Sequence, residues 1–142
     1  MTLNQQTVVK LELPATYKYL NVLSGCIAEM MTHVEGIDDR DAVVYNLQLA
    51  AHEICTNIVG HAYLNVGNGR IEVALMLTDQ PRQLIIELED HGQSFDPAMV
   101  TAPTLDQPQV HGYGLFIVQS LMDEVDYRPL VEGNFWRLVK YL

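Results

Sequence analysis

The sequence predicts an α+β two-layer sandwich, a mixed, mainly antiparallel sheet covered on one face by about three helices. Two observations carry this. From Tyr17 to about Tyr63, apolar residues recur at steps of three and four, the period of a half-buried helix. After residue 70 they alternate with polar residues in short runs, the period of a strand with one solvated face. The resulting order, β-α-α-β-β-loop-α-β-β, is that of a helical layer on one side of a sheet.

Val9, Leu11 and Leu13 alternate with Lys10 and Glu12, predicting a first strand that Pro14 ends. From Tyr17 to Val34, Leu20, Leu23, Ile27, Met30 and Val34 keep helical spacing. Gly36 then breaks this helix, and Asp38 and Asp39 cap the next. The second helix, with Val44, Leu47, Ala51, Ile54 and Ile58 as its buried stripe, runs to about Tyr63. Gly67-Asn68-Gly69 is a turn; Ile71, Val73, Leu75 and Leu77, then Leu84, Ile86 and Leu88 beyond Gln80-Pro81, form a β-hairpin whose second strand runs into Asp90. From Phe95 to Val110, with Pro97, Pro103 and Pro108, periodicity disappears, predicting a long irregular loop of the kind that forms lids or binding loops. A third helix, Leu115 to Met122, follows Gly114; Val125 and Tyr127 begin a strand, and Phe135 to Leu142 is the last.

At 142 residues, 49% apolar and 18% charged, the chain has the length and composition of a single domain spanning residues 1–142, with a proper core. Its net charge of −10, with only eight Lys and Arg, argues against nucleic-acid binding, which needs clustered cations. Cys26 and Cys55 lie in apolar, helix-patterned sequence and read as buried reduced thiols. No charged leader and no long apolar run is present, so a cytoplasmic location without membrane insertion is expected.

Three pieces bear on chemistry. Glu53 and Asn57, four residues apart beside the buried stripe, project in nearly the same direction and together suit a cation and a proton acceptor. In Asp90-His91-Gly92, the glycine lets backbone approach a ligand closely, and the carboxylate can accept a hydrogen bond from an exocyclic amine such as that of adenine. Gly112-Tyr113-Gly114 opens a helix, where free N–H groups and the dipole favour phosphate oxygens. Each has an ordinary reading alone: a solvated helix face, a strand exit, a plain loop. In combination they read as a nucleotide pocket. His52-Glu53 lacks the second histidine of a zinc-protease helix, since Thr56 stands there. His33, His61, His91 and His111 have no partners at ligand spacing, and Ser94 and Ser120 lack a nucleophile-elbow setting.

The segments Glu53-Ile54-Cys55-Thr56-Asn57-Ile58-Val59-Gly60-His61-Ala62-Tyr63, Asp90-His91-Gly92-Gln93-Ser94-Phe95-Asp96, Gly112-Tyr113-Gly114-Leu115 and Leu121-Met122-Asp123-Glu124-Val125 resemble the N, G1 and G2 boxes of the bacterial anti-sigma-factor serine kinases of partner-switching systems. The resemblance covers the chain from first strand to last. It implies the histidine-kinase-like ATPase fold, with a lid over ATP. It also implies that Asp90 reads the adenine amine, Gly92 makes room for the purine, Gly112 and Gly114 let the lid wrap the phosphates, Asn57 holds Mg²⁺, and Glu53 is the catalytic base for a partner's serine hydroxyl. The implied nucleotide-binding set is Asn57, His61, Asp90, Gly92, Phe95, His111, Gly112, Tyr113, Gly114 and Leu115. The implied cofactors are ATP or ADP and Mg²⁺; the implied partners are a STAS-domain anti-sigma-factor antagonist, a sigma factor and a second copy of the chain in a homodimer.

One departure separates two readings. No Lys or Arg occurs between Arg82 and Arg128, whereas several relatives place an Arg just before the G2 glycines; His111 is the nearest substitute. Intact Glu53 favours an ATP-dependent serine kinase that also sequesters a sigma factor. The uncharged lid favours a non-catalytic nucleotide-binding module that switches partner binding without phosphoryl transfer.

Overall fold

The computed structural model describes residues 6–95 and 113–142; the expected loop beyond Phe95, with His111 and Gly112, lies outside the described residues. Strands β1 (Gln6–Pro14), β2 (Arg70–Asp79), β3 (Arg82–Asp90), β4 (Glu124–Leu130) and β5 (Gly133–Tyr141) form one sheet in the order β1-β2-β3-β5-β4. The mixed, mainly antiparallel sheet expected from the sequence is antiparallel at every pairing. The β2–β3 hairpin closes at Asp79 opposite Arg82, and its other end sets Asp90 opposite Asn134 of β5.

Helices α1 (Leu20–Thr32), α2 (Arg40–Asn57) and α3 (Tyr113–Leu121) form the second layer, with α2 touching both of the others. Leu23, Ile27 and Met31 of α1, Leu47, Ala51 and Ile54 of α2, and Val118 of α3 share one core with Ile71, Leu75, Ile86, Leu88, Trp136 and Leu138 of the sheet. Strand alternation puts Glu72, Glu87 and Glu89 on the opposite, open face. A groove there, floored by Ala74 and bordered by Lys10, Glu12 and Phe135, is separated by the sheet from Asp90.

Several expectations are refined. In α1 the fully buried methionine is Met31, one full turn after Ile27, while Met30 is half-buried. Asp39 stands at the start of α2 as expected, but its side chain makes no capping bond. It is left-handed (φ 50°), and its backbone carbonyl accepts from Val43 N at 3.1 Å. The second helix does extend to the region of Tyr63, yet from Ile58 to Ala62 it widens into a π-helical turn, with Tyr63 N bonding Ile58 O at 3.1 Å. The third helix starts at Tyr113, so Gly114 lies inside its first turn rather than before it.

Gly133 begins β5 with φ +126°, where a Cβ would stand 1.9 Å from the carbonyl oxygen of Asp90. Both the dihedral and the contact demand glycine. Gly133→Ala is expected to lose at least ~2 kcal/mol in urea unfolding.

Candidate functional site

Alternation along β3 directs Leu84, Ile86, Leu88 and Asp90 to the helical side, and the last of these is a carboxylate with 0% exposure. A buried charge needs donors. Gly92 N donates to Asp90 Oδ1 at 2.9 Å, and Asn134 Nδ2 donates to Oδ1 at 3.0 Å and Oδ2 at 3.2 Å. Burial pushes the Asp90 pKa above the ordinary carboxylate value, and the bonds from Asn134 and Gly92, then the nearby His91, pull against it. A carboxylate offers about four acceptor positions. Among the described residues no second donor reaches Oδ2, and the acceptor position left there suits an exocyclic amine.

Asn134, also fully buried, is the residue that sequence reasoning missed. Its Nδ2 also donates to Gln93 O at 2.9 Å, and its Oδ1 accepts from Phe95 N at 3.0 Å and from the Tyr127 hydroxyl at 2.5 Å. Ser94 is tied down by bonds to Leu130 O and Gly133 O, at 3.1 and 2.7 Å. The segment leaving β3 is thus fastened to β4 and β5 at each residue from Gln93 to Phe95. Only the register that sets Asp90 opposite Asn134 reveals this.

The same segment is fastened to the helical layer. Gln93 N donates to Ala62 O at 2.7 Å, and His91 N to the Tyr63 hydroxyl at 2.8 Å. A Cβ on Gly92 would lie 2.2 Å from Ala62 O, so the close approach this glycine permits is to the π-helical turn. His61 on that turn stacks on Phe95, with ring centroids 4.5 Å apart, while Phe95 meets Tyr127 and Trp136 edge-on. Phe95 and Leu115 are largely buried members of the core cluster, which gives both a packing role besides any contact to a nucleotide. His91 is exposed and lies 3.6 Å from Glu72, a surface pair of small energetic weight.

On the helical side of the site, Glu53 and Asn57 are half-buried on α2. Gly114, in the first turn of α3, is where the structure brings Glu53: a Cβ there would stand 2.6 Å from Glu53 Oε2. The glycine thus leaves the carboxylate beside the first turn of α3. Asn57 supplies a hard oxygen donor that fits Mg²⁺, one turn from the Glu53 carboxylate that can act as a proton acceptor. Cys55, on the same helix, faces the core instead. Burial pushes its thiol up to about 12, so it is inert at neutral pH. Cys26 is also free and half-buried. No helix among the described residues is long and apolar enough to cross a membrane.

The chain's relatives fit this geometry. Residues 13–140 match the histidine kinase-like ATPase domain family. Serine-protein kinase RsbW of Bacillus pumilus is 34% identical over 131 residues, covering 84% of this chain and 76% of the relative. The Bacillus subtilis protein of that name is 29% identical over 134 residues, covering 86% and 78%. Among solved structures, the RsbU and RsbW domains of a Mycobacterium tuberculosis protein superpose with a TM-score of 0.69 at 19% identity, over 96% of this chain and 32% of that longer one. A histidine kinase domain from Erythrobacter litoralis superposes at 0.59 and 17% identity, over 92% and 62%. The chain belongs to the histidine kinase-like ATPase domain family and, within it, to the RsbW group of serine-protein kinases.

Proposed function

We propose that the protein is an ATP-dependent serine kinase and anti-sigma factor, which phosphorylates a STAS-type anti-sigma-factor antagonist and sequesters a sigma factor in the cytoplasm, as a homodimer. The observation that carries the chemistry is the Glu53 carboxylate held against Gly114 at the first turn of α3, on the same side of the sheet as buried Asp90. Asp90 accepts the adenine amine, and Asn57, His61 and the first-turn N–H groups at Tyr113 and Gly114 take the polyphosphate end. Asn57 would hold Mg²⁺, whose charge would offset that of the phosphates. Glu53 orients the partner's serine hydroxyl and accepts its proton as the serine Oγ–P bond forms and the bond to the ADP leaving group breaks.

The switch reading has one observation in its favour, the absence of Lys and Arg from residues 83–127. Incubation with γ-labelled ATP and a STAS-domain partner separates the two: label on the partner supports the kinase, while nucleotide and sigma-factor binding without label supports the switch.

Four substitutions dissect the site. Asp90→Asn keeps an acceptor for Gly92 and Asn134 but presents an N–H to the base, so ATP affinity is expected to fall at least about tenfold in calorimetric titration. Its thermal midpoint should be unchanged or higher at neutral pH. Burial favours the protonated form of Asp90 in the folded chain, so its stabilising contribution is greatest at acid pH and is lost as pH rises through the raised pKa. Glu53→Gln retains Mg·ATP binding and loses transfer by roughly 10²–10⁴-fold, whereas Asn57→Ala loses both. Gly114→Ala should displace the Glu53 carboxylate, a flexible side-chain end. Phosphotransfer is then expected to drop with a stability change under about 1 kcal/mol.

A further inference from the structure

We infer that Asn134 is a positioning residue that sets base specificity, its side-chain amide keeping the Asp90 carboxylate ionised and aimed so that it only accepts hydrogen bonds. This rests on the reading of Asp90 as the group that meets the base. The Asn134 amide has no unused capacity. One N–H spans both oxygens of Asp90, the other takes Gln93 O, and the carbonyl oxygen receives Phe95 N and the Tyr127 hydroxyl. This pattern fixes which way the amide points, since the flipped rotamer would set its oxygen against three other acceptors.

The consequence for specificity is chemical. An ionised carboxylate accepts from the adenine amine and repels the guanine carbonyl. A protonated one carries an O–H and can donate to that carbonyl. Burial drives Asp90 toward the protonated form, and the groups that resist it are few. On its own strand and exit, Glu89 adds to the drive while His91 and the Gly92 N–H oppose it. From β2, Ile71 stands opposite and brings no charge. From β4 comes the neutral Tyr127 hydroxyl, and from the π-helical turn His61, stacked on Phe95. Among these neighbours Asn134 alone contacts both oxygens. An apolar residue of similar size there would leave Oδ2 without a protein donor.

The test titrates ATP and GTP, each with Mg²⁺, into the full chain from about pH 5.5 to about pH 8.5, for the wild type, Asn134→Leu, Asn134→Ser and Asp90→Asn, with folding checked by circular dichroism. The wild type should prefer ATP with little pH dependence. Asn134→Leu should bind ATP roughly tenfold or more weakly at the acid end than at the alkaline end, with a smaller ATP-to-GTP ratio at acid pH. Asn134→Ser, which restores one O–H donor, should recover part of both. A purely structural role would lower stability while leaving the pH profile and the ratio as in the wild type, and that result overturns the proposal. If Asn134→Leu does not fold, the Asp90 carboxyl ¹³C resonance of the wild type decides: ionised at neutral pH supports the assignment, protonated overturns it. Equal ATP affinity in wild type and Asp90→Asn would remove the Asp90 reading itself, and this inference with it.

Discussion

A carboxylate without exposed surface must be surrounded by donors, and around Asp90 this requirement organises the whole end of the sheet. The donors come from its own exit, Gly92, and from the second residue of β5, Asn134. To place Asn134 there, β5 must begin directly against β3, so Gly133 lies in contact with the Asp90 carbonyl and can carry no side chain. The exit segment then lies along the helical layer, where Gly92 meets Ala62 and Gln93 bonds its carbonyl. That carbonyl lies in the π-helical turn, a distortion that recurs at functional sites. One buried charge thus connects two strands, a loop and a helix end.

Helix α2 serves the site in a different way. Its apolar stripe, with Ala50, Ala51 and Ile54 fully or almost fully buried, fixes its rotation against the sheet. Glu53 and Asn57 follow from that rotation, at the edge of the buried face and not on it. Packing α3 against α2 at Gly114 brings helix backbone to the carboxylate without a side chain between them. Core packing positions the proposed base, while hydrogen bonding positions the proposed base-reading acid. The two halves of the site therefore respond to different kinds of substitution.

Much of this was legible in the sequence, because periodicity reports directly on burial. The strands led by Val9, Ile71 and Leu84, and the stripe from Leu47 to Ile58, stand where their patterns put them. The placement of Glu53 at the edge of the buried face of α2 and of Asp90 at the end of β3 was legible through spacing and strand alternation. What the sequence did not reveal are features set by tertiary register. Asn134 acquires its role only by lying across from Asp90, and Tyr127 by pointing at Asn134. The close approach of Gly92 to Ala62 is likewise set by tertiary packing. The Asp39 cap was correctly located but works through backbone, since a left-handed residue cannot direct its side chain to the first-turn N–H groups in the usual manner.

Adenine recognition here rests on the acceptor position of buried Asp90 that no described residue occupies. A crystal structure of the chain with Mg²⁺ and a non-hydrolysable ATP analogue tests it most directly. The account predicts the exocyclic amine within hydrogen-bonding distance of Asp90 Oδ2, with the Asn134 bonds to that carboxylate intact and the phosphates toward Asn57 and the start of α3. An adenine ring seated elsewhere, in the open-face groove around Ala74 for instance, with Asp90 untouched, would contradict it.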